Sequence, residues 1–446
     1  MTVREDLGVL AWGRAHRGRH VVADPAVRAD AGPAARETAK AGGSTLAHGL
    51  GRSYGDSGLN LGGGLVRMAG LDRLIAFDRE TGLLRADAGI SLDALLKVTV
   101  PAGWFLPVTP GTKFVTLGGA LANDVHGKNH HLAGSFGRHV TRFGLWRSDR
   151  GEAGAEIECS PGENANLFAL TIGGLGLTGI VTWIEFRLER IPSSHLYVEN
   201  IPVDGLDAFF DLAERSLDWP FTVAWVDTLA RGDRLGRGIF SRASWAEGGG
   251  FTAHSGGGPR MPIDAPGGLL NSVTVGAFNR LYRARPGARF QGRQHYDPFF
   301  YPLDRLRDWN RMYGPRGFYQ WQCAVPVDSM REATRTLLDT VAASGDASFL
   351  AVLKTFGDVP SPGILSFPMP GATLALDFAN RGQETLSLLA RLDRVVAEVG
   401  GRLYPAKDGR LPQAMFRAGF PRWSDLEAVR DPILMSSFWR RMTEEA

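Results

Sequence analysis

His48-Gly-Leu-Gly-Arg-Ser-Tyr-Gly-Asp56 carries three glycines in nine residues. It follows a short run, Ser44 to Ala47, that reads as a strand, and glycine makes an interior helix costly here. Glycines so placed can expose consecutive backbone N–H groups, a nest that suits a pyrophosphate. A tight glycine turn closed by an Arg52–Asp56 ion pair satisfies the same spacing. The residues alone leave both readings open.

Outward from this segment, the first ~190 residues alternate short strands with helical runs. Leu65 to Met68, Leu74 to Phe77 and Leu83 to Ala86 read as strands between glycine turns. Ser91 is placed to cap a helix through Leu95, Leu96 and Val98 that stops near Pro101 and Gly103. Ile180 to Leu188 predicts a strand with Ile180, Ile184, Phe186 and Leu188 on one face and Glu185, Arg187 and Glu189 on the other. Gly174-Leu-Gly-Leu-Thr-Gly179 fits GxGxxG, but a helical run, Asn164 to Leu170, precedes it and a strand follows. A dinucleotide fingerprint needs the reverse context, so this match argues against a Rossmann unit.

A second glycine-bearing segment runs from Pro110 to His131. Gly118, Gly119 and Ala120 are small enough for a flat ring or phosphate to touch the backbone. His126, Lys128, His130 and His131 gather titratable groups within a few residues. For each histidine the alternative is a hydrogen-bonded structural role. No carboxylate or cysteine joins them at i, i+4, so no metal site is expected.

After Pro192, where a boundary is placed, the pattern changes. Tyr319 to Val327 reads as a strand. Ser329 with Glu332 predicts a capping box for a helix with Met330, Ala333, Leu337 and Val341 on one face, ended by Gly345. Ser348 to Phe356 and Thr373 to Phe378 read as strands. A longer helix carries Leu386, Leu389, Leu392, Val396 and Val399, stopped by Gly400 and Gly401 before Leu403 and Tyr404. The order β-α-β-β-α-β is ferredoxin-like. Ala230 to Arg293 shows no clear pattern. It holds Gly248–Gly250, Gly256–Gly258 and five arginines from Arg280 to Arg293, and reads as a long loop. No internal repeat is visible.

The chain has 446 residues, 44% hydrophobic and 22% charged, with net charge +3. That gives no case for bulk nucleic-acid binding. Cys159 and Cys323 are far apart and are expected to be buried free thiols. MTVREDLGVL lacks the layout of a signal peptide, and no apolar run reaches the ~20 residues of a membrane helix. A cytoplasmic protein with contact at a membrane surface is the expectation.

The segments GLGRSYGD, HGKNHH, AGSFG, GLTGI, WNR-YGP-GF, SFPMPG and GGRLYPAKD, in order over nearly the whole chain, resemble the decaprenylphosphoryl-β-D-ribose 2′-oxidase family of vanillyl-alcohol-oxidase-type FAD-linked enzymes. The resemblance implies an α+β protein: a two-part FAD-binding domain (1–192 and 401–446) with an inserted ferredoxin-like substrate domain (193–400). It implies FAD contacts at Gly49, Gly51, Arg52, Ser53, Tyr54, Gly55 and Asp56, then at Gly111, Thr116, Gly118, Gly119, Asn123 and His126, and at Gly179, Ile180 and Tyr404. His126 and Lys407 match the active-site histidine and lysine. Lys128, Trp225, Gln320, Gln322 and Lys354 match substrate positions. The implied reaction oxidises the 2′-hydroxyl of a polyprenylphosphoryl ribose, the first half of an epimerisation in arabinan and cell-wall precursor synthesis. The implied partner is a keto-sugar reductase.

Three positions depart from the family pattern. Ala375 stands where members carry a cysteine, Phe300 where they carry a tyrosine, and Thr373 where they carry an asparagine. In covalent flavoproteins of this type a histidine commonly precedes the Ser-Tyr of the first loop; Arg52 stands there, so FAD is expected to be non-covalent. The proton of the substrate hydroxyl falls to Lys407 or to His126. In the second case Lys407 is a fixed cation, and a plain Lys407–Asp408 ion pair is the structural alternative. Two other function classes are an oxidase of a free polyol, sugar lactone or other sugar phosphate, which needs no phosphate-binding lysines, and a non-catalytic flavin-fold scaffold, which would lack bound FAD. Arg280 to Arg293 is expected to form a mobile basic lip for a lipid phosphate or anionic membrane, with solvated loop arginines as the alternative.

Overall fold

The computed structural model describes residues 2–254 and 258–444; Gly256 and Gly257 of the expected glycine loop lie outside the described residues. Leu65 and Val66 are fully buried in Gly64–Arg67, a strand in a four-stranded sheet ordered Arg4–Asp6, His20–Ala23, Gly64–Arg67, Ala47–His48. The strand expected at Ser44 to Ala47 is reduced to Ala47–His48. Thr45 instead bonds through its N–H to the carbonyl of Ile433, from the end of the chain. The helix Ala31–Gly42 buries Ala31, Ala34 and Ala35. These small residues let it pass close to a second sheet: a Cβ on Gly32 would stand 2.3 Å from the Trp146 ring.

That second sheet is antiparallel, ordered Leu74–Phe77, Leu83–Asp87, Ile180–Arg187, Val140–Arg147, Ala155–Cys159. The polar face expected on its central strand is not free. Glu185 is buried because Arg85, Arg142 and Thr141 donate to its carboxylate at 2.7, 2.8 and 2.9 Å. Ion pairing from both neighbouring strands stands in for solvent, and only Arg187 of that strand is exposed. Ser91 caps the helix Leu92–Thr99 as its sequence predicts, accepting from the Ala94 N–H.

A two-stranded pairing joins Trp104–Phe105 to Glu189–Arg190, and the other strands form an eight-stranded antiparallel sheet. Its order is Gln291–His295, His195–Val203, Gly238–Trp245, Phe221–Val226, Ala351–Phe356, Gly371–Ala379, Phe318–Pro326, Arg402–Leu403. Each run of four has the chain order 4-1-3-2, so the sheet consists of two β-α-β-β-α-β units joined where Ala224 and Trp225 pair with Leu353 and Val352. The first unit was not legible as a repeat. Leu206–Glu214, Met330–Ser344 and Gln383–Glu398 pack on one side of the sheet through Phe209, Leu337 and Leu389. Ser329 makes no capping bond to the second of these. A 3-10 turn, Val327–Ser329, already holds it at φ −112°, ψ −1°, away from the extended backbone that a capping side chain needs.

The stretch 230–293 is not one loop. It contains the strand Gly238–Trp245, the helix Ser272–Ala284 and the edge strand Gln291–His295. Unlike the other three long helices of the sheet, Ser272–Ala284 stands on the cavity side, with Tyr282 against Trp225 (ring centroids 4.8 Å) and Asn279 donating to Asp227 at 2.6 Å. Its arginines are partly engaged: Arg283 pairs with Asp204, Arg285 stacks on Tyr282, and Arg293 of the following strand donates to the Gly248 carbonyl.

Candidate active site

The two glycine segments meet. A Cβ on Gly49 would stand 2.4 Å from Thr116 Oγ1, and one on Gly55 would stand 1.5 Å from the Asp408 carbonyl oxygen. At Gly49 a side chain, and at Gly55 a backbone carbonyl, lies where a Cβ would stand, so neither position takes one without a shift. Gly51 has φ +63°, a left-handed turn. Tyr54 donates through its N–H to the Ala406 carbonyl at 2.9 Å. Asp56 does not pair with Arg52; Arg441 grips it with two bonds of 2.9 Å. The loop is therefore held by the last segment of the chain rather than closed on itself. Arg52 lies 3.9 Å from the Trp12 ring centroid, with its Nε buried and unpartnered.

These loops form the floor of a cavity of ≈ 1080 Å³, at the top of the ~300–1,000 Å³ range of ordinary ligand pockets. Gly49, Gly51, Arg52, Ser53 and Tyr54 line it, as do Gly111, Thr116, Gly118, Gly119, Asn123 and His126. Gly179 and Tyr404 also line it. Gly55, Asp56 and Ile180 do not: the first two pack against the chain end, and Ile180 is in the core beside Trp146. From the opposite wall come Lys128, Trp225, Gln320, Gln322, Lys354 and Lys407. The three departures, Phe300, Thr373 and Ala375, line the same cavity.

The donors of the floor fit a dinucleotide. Among the described residues, the N–H groups of Gly49, Leu50, Gly51, Arg52 and Ser53 have no hydrogen-bond partner in the chain. Five consecutive free N–H groups on a cavity wall are available to an anion, as a nest requires. Thr116 Oγ1 accepts from Gly119 N–H at 3.1 Å, and Tyr404 donates to the Asn123 carbonyl at 2.9 Å, which fixes the second loop.

The opposite wall supplies titratable groups. Gln322 Nε2 uses both hydrogens, donating to His126 Nε2 at 3.0 Å and to Thr373 Oγ1 at 3.1 Å. His126 is thereby neutral with its proton on Nδ1, an atom buried without a partner. Burial first, then the charges of Lys354, His130 and Lys407, holds its pKa well below the ordinary histidine value. Burial pulls Lys128 down to about 7, helped by repulsion from Lys354, and pulls Lys354 down to about 8. Lys128 Nζ donates to the Phe300 carbonyl at 3.1 Å. Lys354 Nζ lies 3.4 Å from the Gly127 carbonyl. Lys407 makes no ion pair with Asp408, whose carboxylate instead accepts from the N–H groups of Arg410 and Leu411. Its Nζ sits 3.9 Å from the Tyr54 ring centroid, and burial lowers its pKa far below that of a surface lysine. Trp225 commits its indole N–H to the Phe349 carbonyl at 3.0 Å and offers its ring to the cavity.

Two carboxylates that clamp the second glycine loop carried no signal in the sequence. Asp304 takes the Thr112 hydroxyl and the Lys113 N–H at 2.7 and 2.9 Å, clamping the second glycine loop. Asp297 pairs with Lys113 at 2.5 Å. These partners are 184 to 192 residues apart, so spacing could not reveal them. Phe278, Tyr282 and Phe290 bring apolar surface to the cavity.

Free backbone N–H groups facing a wall of half-buried lysines, with room for a ring between them, suit a flavin-type redox site. Comparison with known proteins supports this: residues 20–153 match the FAD binding domain family. The protein is an FAD-dependent oxidoreductase. It is 35% identical, over 97% of both chains, to decaprenylphosphoryl-β-D-ribose oxidase of Mycolicibacterium smegmatis. It is 34% identical over 78% of its length to a Streptomyces coelicolor protein encoded in the mprA 5′ region, of which it covers 97%. Human Δ(24)-sterol reductase is 26% identical over 32% of the chain and 26% of its own length. The chain belongs to the decaprenylphosphoryl-β-D-ribose oxidase family.

Proposed function

We propose that this enzyme oxidises the 2′-hydroxyl of a polyprenylphosphoryl-β-D-ribose to the ketone, the first half of an epimerisation that a reductase partner completes. The observation that carries the reading is the placing of half-buried Lys128 and Lys354 together on the wall beside the flavin floor. A free polyol or lactone gives two such cations nothing to neutralise, whereas a sugar phosphodiester does. FAD, held by the two glycine loops without a covalent bond, supplies the hydride acceptor. Lys407 takes the hydroxyl proton. Its lowered pKa suits a base near neutral pH, while His126 already spends its free lone pair on Gln322. His126 positions the ring or the sugar instead. Gln320 and Trp225 shape the sugar side of the cavity.

In the same reading, 193–400 is a ferredoxin-like substrate domain inserted between the two FAD segments, 1–192 and 401–446. The helix Ser272–Ala284 is a membrane-facing lip. Val273 and Leu281 are 78% and 72% exposed on it, flanked by Arg280, Arg283 and Arg285, while Phe278 and Tyr282 face the cavity. Exposed apolar side chains flanked by arginines suit an anionic bilayer surface, from which a prenyl chain would enter beside Phe278. No helix among the described residues is long and apolar enough to cross a membrane.

Anaerobic mixing with a panel of sugars tests the substrate. Polyprenylphosphoryl ribose should bleach the flavin within one turnover, and free polyols and lactones should leave it oxidised. Equal bleaching by a free polyol would overturn the assignment.

A further inference from the structure

Asp124 is fully buried behind the cavity wall, which its neighbours Asn123 and Val125 line on either side of it. Both of its oxygens are engaged. Oδ1 accepts from the Gly137 N–H at 2.7 Å. Oδ2 accepts from the Ser135 hydroxyl at 2.7 Å and from the hydroxyls of Ser361 and Ser366 at 2.5 Å. Four donors fill the acceptor sites of a carboxylate. Gly137 reaches it because it has no side chain: a Cβ there would stand 2.3 Å from Ile172 Cγ2 and 2.9 Å from Asp124 Oδ1. Asp124 has φ +39°, a left-handed backbone that few residues other than glycine adopt. Such a conformation persists where the surroundings fix it, and here the side-chain bonds do so.

The bonds to Ser135 and Gly137 close the turn 124–137 at its neck. His126 lies in that neck, bridged through its backbone to Ser135. The middle of the turn is anchored elsewhere. The Lys128 carbonyl accepts from the Thr222 N–H at 2.9 Å, and Lys128 Nζ donates to the Phe300 carbonyl. Asn129 Nδ2 donates to the Pro107 carbonyl at 2.8 Å, and His131 Nε2 donates to the Trp219 carbonyl at 2.9 Å. Lys128 is therefore placed without help from Asp124, whereas His126 stands beside the clasp. Ser361 and Ser366 tie the same carboxylate to the segment that carries Phe367. The Phe367 ring lies 4.5 Å from that of Tyr404 and 5.6 Å from that of His126, centroid to centroid.

We propose that Asp124 is a positioning residue for the oxidation: its carboxylate clasps the neck of the turn to the 361–367 segment and so holds the His126 ring against Gln322 at the cavity wall. It acts through His126 and rests on the reading of that residue as the one that positions the flavin ring or the sugar. Loss of the clasp costs the rate of flavin reduction and spares binding. Lys128 and Lys354 keep their own contacts with the Phe300 and Gly127 carbonyls, and the free N–H groups of the first glycine loop belong to a different segment.

The test uses the FAD-loaded enzyme and two variants. Asp124→Ala removes the whole clasp. Ser135→Ala removes only the bond beside His126, leaves Asp124 three donors, and decides alone if Asp124→Ala yields no folded protein. With a short-chain polyprenylphosphoryl ribose, flavin reduction at saturation should slow roughly 10- to 100-fold in Asp124→Ala and less in Ser135→Ala, with KM and FAD affinity unchanged. Histidine-15N NMR, recorded without substrate, should show His126 as the Nδ1–H tautomer in the parent and as an average of tautomers in the variants, because Gln322 no longer meets a fixed ring. A rise in KM that matches the fall in rate, or loss of FAD, would mean general loosening and overturn the proposal. So would a folded variant with the parent rate and an unmoved His126 signal. If the parent flavin is not reduced by this substrate, the proposed function fails, and the NMR signal still decides the clasp.

Discussion

The two halves of the eight-stranded sheet have the same strand order and put different chemistry on the cavity. The half running from Phe318 to Leu403 presents Gln320, Gln322, Lys354 and Thr373, and leads directly into Tyr404 and Lys407. The half running from His195 to His295 presents Val223, Trp225, Ile239, Phe278 and Tyr282. In the Phe318 half both helices stay behind the sheet. In the His195 half the second helix has come forward over the cavity mouth. A repeated topology thus carries a polar, titratable wall and a more apolar wall. Strand pairing fixes the frame, and the side chains on the cavity face are free to differ.

The sharpest way to break this division is at Lys407. Lys407→Ala should retain FAD, because the floor binds through backbone groups, and should slow hydride transfer roughly 10²–10⁴-fold. Lys407→Arg should be equally slow if the residue is a base, since arginine does not deprotonate in a protein. Recovery by arginine would make it a fixed cation. Next, Lys354→Met should raise KM about 10- to 100-fold, the worth of one charge-assisted bond, with little change in the rate of flavin reduction at saturation. A large loss of that rate instead would put Lys354 in the chemistry.

A pH series sharpens the same wall. Lys128 and Lys354 are cations below about 7 and about 8 and neutral above. Anion affinity should be present on the acid side and fall as pH rises through that window, seen as a KM that climbs while the Lys407-dependent rate does not fall. In the other half, Val273→Ser with Leu281→Ser should weaken binding to anionic vesicles several-fold and leave turnover of a short-chain substrate intact. Residual vesicle binding should drop with salt. If the double variant binds vesicles as the parent does, the lip is not the contact. The smallest effect is expected from thiol reagents. Cys159 and Cys323 are buried, their thiols raised to about 12 by burial, and Ala375 offers no sulfur to the cavity. Activity should be unchanged by alkylation in the native state, and Ala375→Cys should create sensitivity.

Sequence was informative where local pattern and chemistry coincide. The glycine loops, the helix capped by Ser91 and the Phe318-to-Leu403 half follow 3.6- and 2-residue periods that any reader of the chain can extract. The His195-to-His295 half hid for a physical reason. Its forward helix spreads apolar residues over several environments: Val275 is buried, Phe278 and Tyr282 line the cavity, and Val273 and Leu281 are exposed. Its strand Gly238–Trp245 interleaves glycine and serines with apolar residues. Arg52 and Asp56 looked like natural partners four residues apart, yet Arg441 claims the carboxylate. The clamps by Asp304 and Asp297 join segments with no shared pattern. Long-range ion pairs have no local signature.

The grip of Arg441 on Asp56 spans 385 residues of chain. During synthesis the first glycine loop leaves the ribosome early and waits. Asp56 has no ion-pair partner until the helix Ser437–Thr443 has been made and has folded back. The cradle is therefore completed only once that helix is in place. A ribosome stalled short of that helix would carry a nascent protein with most of its sheets formed and a cradle still open.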